Sequence, residues 1–145
     1  MASLRSKIKE ALKLGVVPYL KSLGFKGAMP DFYRRQDDYT ECLQFHFKRD
    51  ADDQRFFIHA ALASNDGVDW HRPTHHRVPP EKVKVTQLKG AIRLGAKPGS
   101  NDHWFDCENT RVEDVVQEVL TLLSGEEYWQ RLARVPVTTQ GANYR

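Results

Sequence analysis

The chain is short of most features that announce a function. Its 145 residues include only two cysteines, Cys42 and Cys107. They form no CxxC pair and are too few for a disulfide framework, so a reducing compartment is expected and both thiols read as ordinary small residues. No run approaches the roughly 18 consecutive apolar residues of a membrane span. The opening Met1-Ala2-Ser3-Leu4-Arg5 lacks the apolar centre and small-residue cleavage site of a signal peptide. A soluble, cytoplasmic protein with no membrane association is therefore expected. There is no Gly-x-Ser-x-Gly elbow, no HExxH, no GxGxxG and no Walker loop, which leaves the common hydrolase, zinc-protease and nucleotide-binding classes without a motif. No cofactor is implied.

What is there centres on two alternating runs, Cys42-Leu43-Gln44-Phe45-His46-Phe47 and Phe56-Phe57-Ile58-His59-Ala60-Ala61-Leu62, joined by the acidic turn Asp50-Ala51-Asp52-Asp53. The period of two predicts a β-hairpin, with Leu43, Phe45, Phe47, Phe56, Ile58, Ala60 and Leu62 on a core face and Cys42, Gln44, His46, Lys48 and His59 on the other. A turn centred at 52 to 53 would set His46 directly opposite His59, about 5 Å away. A hairpin with one apolar face needs a covering layer.

The flanking segments supply it. Leu4, Ile8, Ala11, Leu12, Val16, Tyr19, Leu20 and Leu23 follow a helical stripe, with a break expected near Gly15 to Pro18, and Gly24-Phe25 forms a left-handed cap. Phe25-Lys26-Gly27 and Phe32 to Arg35 predict a short, irregular entry into the sheet, and Lys84 to Leu94 and His103 to Cys107 predict two more strands. Thr110 with Glu113, and Ser124 with Glu127, have capping-box spacing, predicting two C-terminal helices. Residues 65 to 81 hold three prolines and read as a long loop. The expected architecture is α+β: a single antiparallel sheet of about five strands, with an N-terminal helix and two C-terminal helices packed on one face. Residues 1–134 would form one domain and 135–145 a flexible tail.

The net charge of +3 is mild, but residues 1 to 27 carry six Lys/Arg against Glu10, while 108 to 127 carry six Asp/Glu against Arg111. Opposite-sign partners could be steered to opposite sides, although solvated helix faces explain the same pattern.

The order of these local features resembles the bacterial family catalogued as domain of unknown function 4304. The resemblance is carried by the leading helix ending Leu23-Gly24-Phe25, then Phe32-Tyr33-Arg34-Arg35, the strand Leu43 to Phe47, Arg55-Phe56, Arg93-Leu94-Gly95, and Trp104 before the last helices. It spans residues 4 to 132. His46 stands where the resembling strand has glutamine, and the loop around His71 to His76 has no counterpart. The resemblance implies an α+β fold and no established activity, so it assigns no catalytic residue.

Two places remain as binding candidates. The first is the long loop with Trp70, His71, Arg72, His75 and His76, where an aromatic in a polar segment has the character of an interface anchor and competes with a tryptophan tucked against the sheet edge. The second is the open sheet face with Gln44, His46 and His59. Histidines this close also raise a metal-assisted hydrolase, but Pro73 between His71 and His75 breaks the helical spacing a metal pair needs, so no metal ligand set is assigned. Arg34, Arg35, Lys48, Arg49 and Arg55 among Tyr33 and Tyr39 raise nucleic-acid binding, opposed by Asp37, Asp38, Asp50, Asp52 and Asp53 nearby. The favoured reading is a small protein-interaction module, in the manner of immunity or antitoxin partners, that binds an acidic protein. Whether it is also an enzyme is left open by the sequence, with binding favoured over catalysis.

Overall fold

The structure, a computed structural model, describes residues 4–48, 55–71 and 73–141. The hairpin turn at 50 to 53 and Arg72 lie outside the described residues.

Helix α1 (Leu4–Gly15) and helix α2 (Val17–Ser22) are the two pieces expected from Gly15 and Pro18; the break falls at Val16, and Pro18 occupies the first turn of α2, where its missing N–H costs least. Gly24 has φ +97° and closes α2. Its N–H donates to Lys21 O at 3.0 Å and that of Phe25 to Leu20 O at 3.1 Å, the paired bonds of a Schellman cap. Strands β1 (Lys26–Ala28) and β2 (Asp31–Arg35) then form a tight antiparallel pair that leads into β3 (Thr40–Phe47) and β4 (Arg55–Ala63).

Strand β4 is central. On one side it pairs with β3; its other edge is shared by three two-residue strands, β8 (Phe105–Asp106), β7 (Ile92–Arg93) and β9 (Val137–Thr138). Among the described residues the sheet has seven strands, antiparallel throughout except where β9 runs parallel to β4. A separate ribbon, β5 (Val68–Trp70) with β6 (His76–Val78), occupies part of the expected long loop. Short 3-10 turns at Pro80–Lys82 and Val85–Gln87 follow, the second where an extended strand was expected. Helices α3 (Val112–Ser124) and α4 (Glu127–Leu132) follow β8. No helix among the described residues is long and apolar enough to cross a membrane.

The main core lies between the helices and one sheet face. Leu43, Phe45, Phe56, Ile58, Ala60 and Leu62 meet Ile8, Leu12, Leu20, Val115, Val119, Leu123 and Leu132 there, all buried. The inward set expected from the alternation is thus correct. Arg34 stitches this side together: its guanidinium forks onto Glu41 at 2.6 and 3.2 Å, donates to Leu23 O at 2.9 Å, and lies over the rings of Phe25 and Trp129.

Four further details differ from the sequence reading. Neither helix-start box forms. Asp106 instead accepts from Glu108 N–H and Asn109 Nδ2, each at 2.9 Å, so α3 starts after Arg111; Ser124 Oγ turns back to Thr121 O at 3.0 Å. In the hairpin Gln44 faces His59 and His46 faces Phe57, a register shift of two that leaves every residue on its expected face. The second sheet face is half covered: Cys42, Ala61 and Ala63 pack under Val68, Val83, Val85 and Leu88. Finally, within the expected tail, Thr138 O accepts from Ser64 N–H at 2.9 Å and Thr139 O from Asp69 N–H at 2.8 Å, which ties residues 137 to 139 to the sheet.

Candidate functional site

The uncovered half of the second face carries a polar row across four strands. Asp31 on β2 stands opposite Gln44 on β3, Gln44 opposite His59 on β4, and His59 opposite Arg93 on β7. Lys84 Nζ pairs with Asp31 Oδ2 at 2.6 Å, Gln44 Nε2 donates to Asp31 Oδ1 at 3.2 Å, and Gln44 Oε1 meets His59 Nε2 at 2.7 Å. The row orients itself. A carboxylate only accepts, so the amide nitrogen of Gln44 must face Asp31 and its oxygen must face His59, which makes His59 Nε2 the protonated nitrogen. His59 is only 8 % exposed, and burial, reinforced by His46 and Arg93, pushes its pKa down from 6.5 to about 4. The ring is therefore neutral near pH 7, with Nδ1 bearing the lone pair.

Beside this row runs an aromatic one. His46 stacks on Phe57 with centroids 4.7 Å apart, and Trp104, just before β8, meets Phe57 edge to face at 5.2 Å. Cations surround the pair: Arg93 lies 3.7 Å over the Phe57 ring and 5.0 Å over Trp104, while Lys48 and Arg55 lie 5.0 and 5.4 Å from Trp104. Burial lowers the Arg93 pKa from its ordinary value; so basic a group stays charged.

The supports come from distant parts of the chain. Tyr128 Oη on α4 donates to Ile92 O at 2.8 Å, and Asn101 holds the same segment through Ala91 O at 3.0 Å and Arg93 N–H at 3.3 Å, which sets Arg93 against His59. Phe105 stacks on Phe56 at 5.2 Å and so seats Trp104 on the face.

Of the residues singled out from sequence, Gln44, His46 and His59 come together here. The loop set does not join them. Trp70 lies on β5 with its ring against Gly141, so close that a Cβ there would be 2.0 Å from Cε3. The His71 and His75 rings are 4.7 Å apart, and His76 Nδ1 is 2.7 Å from Thr74 O. Among the described residues no group of three or more His, Cys, Asp or Glu side chains stands together to hold a metal. Cys42 is not placed as an activated nucleophile: it is buried, Sγ donates to Pro80 O at 3.6 Å, and burial pushes its thiol up to about 12. Arg93 and Trp104 were missed as site residues, and Asp31 with them. Trp104 beside a two-residue strand had a signal, since a large aromatic next to a polar turn needs a surface to lie on; Arg93 and Asp31 had none without the strand order.

An α+β domain of this topology, with a polar and aromatic half-face, defines a class by its architecture. The family model described as "Domain of unknown function (DUF4304)" matches residues 16–131. The chain belongs to that family. No curated protein and no solved structure matches it.

Proposed function

We propose that this chain is an interaction module that holds an acidic protein partner on the open half of its second sheet face. One observation carries the reading: Phe57 and Trp104 form an aromatic pair with Lys48, Arg55 and Arg93 gathered over it. An aromatic anchor ringed by cations suits a protein surface that offers carboxylates around an apolar side chain, and Trp and Arg dominate the energetics of such contacts. Asp31, opposite Gln44 on β3, and Asp106, opposite Arg55 on β4, stand on the same face as these cations. They oppose the unbroken negative charge of a phosphodiester backbone, whereas a protein can set its carboxylates over Lys48 and Arg93 and away from both, which favours a protein over a nucleic acid. Trp70 is engaged with Gly141, so the face supports the anchor role better than the loop with His71, Arg72, His75 and His76. Two buried free thiols, Cys42 and Cys107, suit an intracellular setting, and a small domain of this kind fits an immunity- or antitoxin-like pairing by analogy of size and fold.

The test is affinity capture from the native host, with the captured protein identified and its affinity measured. Arg93→Gln with Trp104→Ala should weaken an acidic partner at least about tenfold at unchanged melting temperature, and Trp70→Ala with His75→Ala and His76→Ala should not. Retained affinity in the first variant, or capture abolished by nuclease, overturns the reading.

A further inference from the structure

A second recess opens at the edge of β3, on the side away from Trp104. Strand β2 begins at Asp31, opposite Gln44, so residues 45 to 47 of β3 run on past its end. In their place the chain turns through Met29 and Pro30, and Pro30 O accepts from Phe45 N–H at 2.9 Å. In an antiparallel ladder every second residue points its backbone groups to the same side. The Phe47 N–H is therefore directed to this edge, where no strand among the described residues stands opposite it. Above the edge passes α1, and the space between is a cavity of about 340 Å³ lined by Lys9, Lys13, Pro30, Gln44, His46 and Phe47, among others. That volume lies within the range of small-molecule sites, about 300 to 1,000 Å³.

Charge in the cavity has one sign. No carboxylate lines it among the described residues, and the nearest acid bonded to its wall, Asp31, is already paired with Lys84 at 2.6 Å. Lys9 and Lys13 are four residues apart on one helix face, a like-charge spacing that destabilises a helix slightly unless an anion lies between them. Lys9 Nζ is held 5.1 Å over the Phe47 ring, which orients an ammonium toward an apolar wall. Of the remaining walls, Pro30 and the Phe47 ring are flat and apolar, while Gln44 and His46 are polar, the one uncharged and the other basic.

We infer that this recess binds a small organic anion, a carboxylate or phosphate monoester on a flat apolar body. The anion sits between Lys9 and Lys13 within reach of the Phe47 N–H, and the body lies against Phe47 and Pro30. The inference stands apart from the protein partner: it concerns a free small molecule and the side of the sheet away from Trp104, although Gln44 and His46 border both places.

The experiment is a titration followed by backbone and side-chain NMR, with benzoate and phenyl phosphate as the carboxylate and phosphate probes and benzamide as the neutral isostere. Saturable shifts are expected at Lys9, Lys13, His46 and Phe47 with one or both anions at about millimolar affinity, at least tenfold weaker with benzamide. The Lys9→Gln, Lys13→Gln double variant keeps good helix formers and should fold, and it should weaken the anion at least tenfold. Equal binding of benzamide, unchanged affinity in the double variant, or absence of saturable shifts at these residues overturns the inference. Neither result bears on capture by the Trp104 face, which is read separately with the Arg93 and Trp104 variants.

Discussion

Gln44 stands directly opposite His59, and its amide oxygen lies 2.7 Å from His59 Nε2. The contact fixes the tautomer of a buried, neutral imidazole in a row that runs from Asp31 to Arg93, and it couples the fold to pH. In the unfolded chain His59 takes up a proton near its ordinary 6.5; in the folded chain it does so only near 4.

Between those values the unfolded state binds more protons, so stability rises with pH there: it is constant above about pH 6.5 and is lost as pH falls toward about 4, by up to about 3 kcal/mol from this residue. Urea denaturation at about pH 7 and about pH 4.5 should show the loss in the native chain and a smaller one in His59→Gln, which can still donate to Gln44. Equal losses in the two proteins would assign the acid sensitivity to other groups.

The fork between Arg34 and Glu41 should be worth more than a surface ion pair, because the Glu41 side chain is 6 % exposed and the Arg34 side chain 20 %. Removing the carboxylate strands a guanidinium that also bonds Leu23 O and lies on Phe25 and Trp129. Glu41→Ala should cost about 2 to 4 kcal/mol, reduced from the fully buried case by the residual exposure of Arg34. Arg34→Lys should recover little of it, since an ammonium cannot bridge both carboxylate oxygens. A loss under about 1 kcal/mol in chemical denaturation would mean that water replaces the fork.

Gly141 is the position where the end of the described chain meets Trp70. Its N–H donates to Asp69 O at 2.9 Å, and an added Cβ would collide with the indole. Gly141→Ala should cost about 1 to 3 kcal/mol through overpacking and loosen β9. Hydrogen exchange should quicken at the amides of Ser64 and Asp69, which donate to Thr138 O and Thr139 O. Unchanged protection there would show that Trp70 yields without disturbing the strand.

Local patterns carried much of the architecture. Leu43, Phe45, Phe56 and Ile58 declared their inward face through a period of two, and Gly15, Pro18 and Gly24 marked the helix break and cap, because these signals depend only on chain geometry within a few residues. Gln44, His46 and His59 could be put on one face for the same reason. The run Ala60-Ala61-Leu62-Ala63 also held a legible sign that β4 is buried on both faces: alternation ceases where a second layer arrives.

What the tertiary structure alone decided is everything set by long-range pairing. Which residue faces His59 depends on turn geometry that alternation cannot count, so the register slipped by two while the faces stayed correct. Strands β7 and β8 lie inside the two segments expected to be extended, but two residues cannot show which neighbour they pair with, and β9 was not expected at all; all three meet the edge of unpaired N–H and C=O groups that β4 would otherwise leave. That edge brings Arg93 and Trp104 beside His46 and Phe57, and draws residues 137 to 139 into the fold. The sequence by itself settled which side chains could meet on a face; only the pairing of β4 with three distant segments determined which of them do.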